Sequence, residues 1–308
     1  MSETRALPPG VTVLERGWLS ANNVVIRGAE EAAVVDSGYW THSAQTVGLI
    51  TAATQGLKLT TLVNTHLHSD HCGGNAALQA RFPGLRTCIP PGLADAVRSW
   101  DPVKLTYEPT GQHCPPFRCD AVLLGGTTVR LGDLDWEVLS APGHDPHSIV
   151  LFEPASRTLI SADALWQNGF GVAFPELEGI EAFDEVAQTL NVIERLSPSV
   201  IIPGHGPVFS DVEGALSRAR SRLHAYEREP ARHAQHAAKV LLKFKLLEVR
   251  QVPIEELRAW AERTPYFQLV HARWGQALAI GEWVESLVLD LARSKALEIR
   301  QGLVANLD

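Results

Sequence analysis

Residues 66–71 read His-Leu-His-Ser-Asp-His, which places four potential metal ligands within six positions. They follow an apolar, strand-like run, Leu59-Thr60-Thr61-Leu62-Val63. Along an extended turn, alternation directs His66 and His68 toward one point and Asp70 and His71 toward a second. Close imidazoles repel one another on protonation, so such a cluster needs a cation to organise it. Three more candidates lie downstream: His144 in Ala-Pro-Gly-His, Asp163 in Ser-Ala-Asp-Ala-Leu-Trp, and His205 in Pro-Gly-His-Gly-Pro. Seven imidazole and carboxylate donors suffice for two divalent ions, with zinc the default and iron or manganese the alternatives.

Each downstream candidate ends a strand-like run: Trp136–Leu139, Arg157–Ile160 and Val200–Ile202. In α/β proteins the ends of strands, and the turns after them, are where functional groups are presented. The pattern therefore predicts strands that deliver ligands to one edge of a sheet.

Taken together, Asn64-Thr65-His66-Leu67-His68-Ser69-Asp70-His71-Cys72-Gly73-Gly74-Asn75, Gly143-His144, Asp163 and Gly204-His205-Gly206 resemble the metallo-β-lactamase superfamily of hydrolases. The resemblance spans roughly residues 10–210. It implies that His66, His68 and His144 hold one metal, that Asp70, His71 and His205 hold the other, and that Asp163 bridges the two. Asp36-Ser37-Gly38 is similar to an Asp-x-Gly found early in that family. Two departures stand out. Ala162 occupies the position before the bridging aspartate where many relatives have Gly, a change expected to leave the ligand intact. After His144 the chain reads Asp145-Pro146-His147-Ser148, adding an acid and an imidazole nearby, with His147 read as a surface or supporting side chain.

The chain has 308 residues, 45% hydrophobic and 20% charged, as an ordinary globular protein does. No apolar run approaches the ~20 residues that cross a bilayer. The stretch Met1–Gly10 lacks the apolar core of a secretion signal. Cys72, Cys88, Cys114 and Cys119 form no regular framework, so free thiols and a cytoplasmic location are expected. Residues 211–308 carry a net charge of +2 and the remainder −10. So acidic a catalytic part suits a small-molecule substrate better than a polyanion, and nucleic acid is not the expected partner.

Short strands are predicted at Val11–Leu14, Asn23–Ile26 and Ala32–Val35, with a helix over Ser43–Ala53 and another from Gly73 through Ala80. Gly73 and Gly74 would let the backbone pass close to the metals. Residues 99–120 read as a long loop, either a plain surface insertion or a lid from which Trp100, Tyr107, His113 and Phe117 would line a pocket. Strands resume from Thr127 to Ile160, followed by a helix over Ala182–Leu196 that stops at Pro198. The alternation supports a four-layer αββα sandwich at residues 1–212, the architecture that the resemblance also implies.

A smaller, mostly helical and winged-helix-like part is expected at 213–308, with breaks at Pro230, Pro253 and Pro265. Leu241, Leu242, Phe244, Leu246 and Leu247 would share a buried face, Leu269–Leu297 would be one long helix, and Ala296–Val304 a hairpin. Its nine basic against three acidic residues over 218–250 read as a packing surface or a homodimer contact.

These features predict a dinuclear metallohydrolase that cuts a small ester, thioester or lactone with a hydroxide shared between the ions. Asp70 is the catalytic candidate, orienting the nucleophile or passing a proton to the leaving group. Trp166, Phe170 and Phe174 are candidates for an apolar pocket wall. The resemblance admits two alternatives, a mononuclear iron persulfide dioxygenase and an RNA-processing metallohydrolase that docks through its C-terminal part.

Overall fold

The computed structural model describes residues 6–307. Residues 1–5, half of the stretch read for a secretion signal, lie outside that range, as does Asp308. Two sheets dominate. The first has six strands in sequence order: β1 (Val11–Leu14), β2 (Asn23–Arg27), β3 (Glu31–Val35), β4 (Lys58–Val63), β5 (Arg86–Ile89) and β6 (Ala121–Val122). The second holds β7 (Thr128–Leu131), β8 (Leu134–Ser140), β9 (Ile149–Glu153), β10 (Thr158–Ala162) and β11 (Val200–Pro203), ordered β11-β10-β9-β8-β7.

Strand periodicity explains the layering. Along β2, Val24 and Ile26 join Val138, Leu151, Ile160 and Ile202 in the core between the sheets. Val25, between them, faces the other way, onto Ile50 of helix Ser43–Ala53 and Leu78 of helix Asn75–Arg81. On the far side, Val150, Leu159 and Ile201 pack against Val186, Leu190 and Ile193 of helix Phe183–Leu196. Successive side chains of a strand point to opposite faces, so each sheet is buried on both, and the result is the αββα sandwich.

Helix Val212–Arg228 lays Ala215, Leu216, Ala219 and Leu223 on the outer core of the second sheet. A separate cluster gathers Ala234, Leu241, Leu242 and Leu246 of helix Pro230–Val249 with Leu257, Phe267, Trp283, Val284, Leu287 and Val288. Phe244 and Leu247 are only partly buried, so the predicted five-residue face is narrower than expected. The C-terminal hairpin forms, as β13 (Leu297–Arg300) and β14 (Leu303–Asn306), and β12 (Gln251–Pro253) joins it to make a third sheet. Several of the basic residues here are paired: Arg220 with Glu194, Lys239 with Asp290, and Lys245 with Glu248. Among the described residues no helix is long and apolar enough to cross a membrane.

Three expectations need correction. Leu269–Leu297 is not one helix: Pro265–Val270 passes into a wide turn at His271–Gly275, and a new helix starts at Ile280 and runs to Arg293. The break brings bare Gly275 against the Trp283 ring, where an added Cβ would lie 3.2 Å from it, so the second helix folds back onto the cluster. Residues 99–120 contain a helical turn, Tyr107–Thr110, and their aromatics do not line a pocket. Trp100, Tyr107 and Phe117 form a local core with Leu67, Ile89 and Leu105, while His113 packs edge-on against Trp40. Gly73 and Gly74 serve close packing of backbone, against residues 37–40 and, for Gly73, the Ser69 carbonyl of the ligand loop, rather than an approach to the ligand side chains themselves. A Cβ on Gly73 would sit 2.6 Å from the Trp40 nitrogen, and one on Gly74 would sit 2.3 Å from the Ser37 carbonyl oxygen.

Candidate metal centre

The seven sequence candidates meet at one edge of the sandwich. His66, His68, Asp70 and His71 follow β4, His144 follows β8, Asp163 follows β10 and His205 follows β11. Parallel pairing of β10 with β11, and of β3 with β4, puts these strand ends on the same side. His66, His71, His144, Asp163 and His205 are buried, while His68 and Asp70 are partly open.

The donor atoms form two groups. His68 Nδ1 lies 2.9 Å from His144 Nε2, which lies 3.3 Å from His66 Nε2. On the other side His205 Nε2 is 3.1 Å and His71 Nε2 3.9 Å from Asp70 Oδ2. Asp163 stands between the groups. Its Oδ1 is 3.4 Å from His71 Nε2, and its Oδ2 is 3.5 Å from His144 Nε2 and 3.8 Å from His205 Nε2.

These residues fit a pair of cations. Buried His71 Nε2 has no hydrogen-bond partner, and three imidazole nitrogens converge with their lone pairs toward a common point. Burial, then the neighbouring imidazoles, hold His66 well below its ordinary pKa and His68 down to about 4, so both are neutral ligands at pH 7. Burial also opposes charge on His71, but Asp163, Asp36 and Asp70 outweigh it and raise that group well above its ordinary value. Burial likewise works against an ionised Asp163, yet His71 and His205 hold it well below the usual carboxylate range. A divalent ion among these carboxylates would take the place of the proton on His71.

Supporting groups fix the tautomers. His71 Nδ1–H donates to Asp36 Oδ2 at 2.8 Å, and His144 Nδ1–H donates to the Val172 carbonyl at 2.6 Å, so both Nε2 atoms are free to ligate. Asp36 also accepts from the Thr65 amide (2.9 Å) and hydroxyl (2.8 Å), and that hydroxyl oxygen lies 3.2 Å from His66 Nδ1. Asp36 thus orients ligands on both sides of the cluster. The Val172–Ala173 peptide is held in turn by His233, whose Nε2 accepts from the Ala173 amide at 3.2 Å. Trp166 Nε1–H donates to Asp163 Oδ1 at 3.1 Å.

Ala162, ahead of Asp163, has φ +47, a left-handed conformation suited to Gly. Ala162→Gly is expected to stay within about 1 kcal/mol of the parent, because relief of backbone strain is offset by chain entropy and a lost buried methyl. Ala162→Val, β-branched in that conformation, should lose about 2 kcal/mol or more in urea unfolding. Equal stability of the two variants would contradict the strain argument.

A cavity of about 430 Å³ opens onto the cluster. Its wall includes Trp18, Val172 and Phe174 from the sandwich, and Val240, Leu241 and Phe244 from helix Pro230–Val249. The expected aromatic wall is therefore split: Trp166 and Phe174 line the cavity, whereas Phe170 is buried in the outer core. From residues 99–120 the lining groups are Thr106, Thr110 and Gln112. Trp18 had no distinguishing signal in the sequence; it is 56% exposed and stacks on the His205 ring with centroids 5.3 Å apart. Asp145 Oδ2 lies 3.9 Å from His68 Nε2, and His147 packs on bare Gly92 instead of entering the cavity.

Comparison with known proteins agrees with the geometry. The chain is 30% identical over 224 residues to a hydroxyacylglutathione hydrolase of Xanthomonas euvesicatoria pv. vesicatoria, covering 70% of this chain and 72% of that one. It is 21% identical over 282 residues to the atrochrysone carboxyl ACP thioesterase of Aspergillus fumigatus, covering 91% and 78%. A metallo-beta-lactamase family protein of Thermus thermophilus has the same fold, with a TM-score of 0.59 at 18% identity, over 98% of this chain and all of that one. The family model of the metallo-beta-lactamase superfamily matches residues 16–205, and with its binuclear metal-binding site this chain belongs to that superfamily as a metal-dependent hydrolase.

Proposed function

We propose that the protein hydrolyses a small thioester, with esters and lactones as secondary substrates, and that zinc is its metal. In this reading His66, His68 and His144 would hold one ion and Asp70, His71 and His205 the other, with Asp163 placed to serve both. The observation that carries the substrate class is the mostly apolar cavity that opens onto the cluster, a lining suited to an acyl chain. The names of the two curated relatives, a thioesterase and a hydroxyacylglutathione hydrolase, point the same way.

When bound, two divalent ions supply a water acidified to near neutral pH and a positive field for the developing oxyanion. The chain's own residues do the rest. Val172, Phe174, Val240, Leu241 and Phe244 exclude water around the acyl group and align it. Burial opposes charge on Asp70, yet His71 and His205 hold it below the usual carboxylate range, so from the cavity edge its carboxylate takes a proton from the attacking water and passes it to the departing thiolate. Trp166 keeps Asp163 in one orientation.

The rest of the reading concerns organisation. Residues 1–212 form the catalytic part, and 213–308 an appendage that completes the cavity wall. Exposed Leu278 and Leu289 on the appendage support a homodimer contact, and four free cysteines support a cytoplasmic location.

Zinc-loaded protein should contain about two ions per chain and turn over acyl thioesters faster than a phosphodiester in a panel that also holds esters and lactones. Activity confined to the phosphodiester would overturn the substrate class. A single iron with oxygen uptake on a persulfide would overturn the hydrolytic reading of the site.

A further inference from the structure

The cavity wall is mostly apolar, yet Arg222 stands in it. Its neighbours on helix Val212–Arg228 are engaged elsewhere: Arg218 pairs with Asp211, and Arg220 with Glu194. Among the described residues Arg222 has no carboxylate within ion-pair distance. The guanidinium is nevertheless placed with care. It lies on the backbone of Gly169, where a Cβ would sit 2.5 Å from Nη1, and Gly169 has φ +118, a conformation that keeps side chains away. Gln167, Asn168 and His236 line the cavity in the same region of the wall. Burial, then the charge of Arg222, pushes His236 down to about 4, so Arg222 is the positive charge there at pH 7.

A guanidinium remains charged in any protein, and Arg222, partly buried on the cavity wall, offers that charge to whatever the cavity holds. Its planar fork matches a carboxylate or phosphate, each of which accepts two parallel hydrogen bonds from it. Other residues of the same cavity wall, Val240, Leu241 and Phe244 among them, are apolar. Resting on the hydrolase reading above, we propose that the substrate carries an anionic group, carboxylate or phosphate, remote from the scissile bond, and that Arg222 binds it and sets this specificity.

Two sources of that anion are separable with matched thioesters on the zinc-loaded enzyme. One arm compares an acyl chain ending in carboxylate with the same chain ending in methyl, both on neutral N-acetylcysteamine. The other compares one neutral acyl group on coenzyme A, on glutathione and on N-acetylcysteamine. The parent should favour the anionic member of at least one arm by about 10- to 100-fold in kcat/KM, chiefly through KM. Arg222→Met should collapse that ratio toward one and Arg222→Lys should restore part of it, with circular dichroism confirming the fold of each. No preference in the parent, or a ratio unchanged in Arg222→Met, would overturn the proposal while leaving the hydrolase reading in place. Absence of turnover on every thioester would instead count against that reading. Calorimetry would then still decide the anion site, by whether the parent binds an α,ω-dicarboxylate more tightly than the equal-length monocarboxylate and Arg222→Met does not.

Discussion

Asp163→Ala is expected to lower kcat/KM by about 10³-fold or more while the protein stays folded. Asp163 is the one side chain whose two oxygens face both donor groups, at 3.4 Å from His71, 3.5 Å from His144 and 3.8 Å from His205. Losing it would remove the negative charge that stands between the two donor groups and would offset a pair of cations there. Folding does not rest on this carboxylate, because the core beneath it is built from β10 and β11 and their apolar faces. Asp163→Asn is the sharper comparison. Its amide oxygen can still accept from the Trp166 indole, so a similar loss would assign the effect to charge and bridging rather than to loop disorder. Metal content and kcat/KM measured on both variants check this, and a near-normal rate in either would remove Asp163 from the centre.

Asp36→Asn should weaken metal binding by about 10- to 100-fold and destabilise the protein by about 3 kcal/mol. Asp36 touches none of the substrate cavity, yet its buried carboxylate accepts from His71, from the Thr65 hydroxyl and from the Thr65 amide. An amide offers one acceptor oxygen and would set its own N–H groups against donors, leaving at least one buried donor unpaired. The backbone is not the cause, since Asp36 has φ +59 and Asn tolerates that conformation as well as Asp does. Chelator competition reads the metal loss and urea unfolding the stability loss. Parent-like affinity would show that His71 is oriented by packing alone.

Much of the fold and the ligand set is legible in the amino-acid sequence, and the reasons are local. Helix Ser43–Ala53 appears at the predicted bounds, and the strands Val11–Leu14, Asn23–Arg27 and Glu31–Val35 differ from expectation by at most one residue. Alternation of buried side chains is imposed by strand geometry and leaves its trace in neighbouring letters. The candidate donors are legible for a related reason: four imidazoles and carboxylates within six positions repel or compete unless a cation organises them, so residue type and spacing carry the signal at His66–His71. Periodicity fails at Leu269–Leu297, where a helical pattern continues across a break at His271–Gly275 that accompanies the packing of Gly275 on Trp283.

What neither spacing nor type determined was which groups stand together across long stretches of chain. The aromatics of residues 99–120 turned inward because Leu67 and Ile89 offered them a dry surface, and Thr106, Thr110 and Gln112 were left facing the cavity. His233, sixty residues from Ala173, fixes the peptide that fixes His144, and so links the helical appendage to a metal ligand. Arg222 shares a wall with the metal cluster only because its helix packs on the outer face of the second sheet. The sequence by itself determined the strands and the candidate donors, because strand alternation, the dense His66–His71 run and the short motifs around His144, Asp163 and His205 are each local in the chain. The tertiary structure alone decided the cavity and the hydrogen bonds that orient the ligands, because those depend on how buried surfaces of distant segments fit one another.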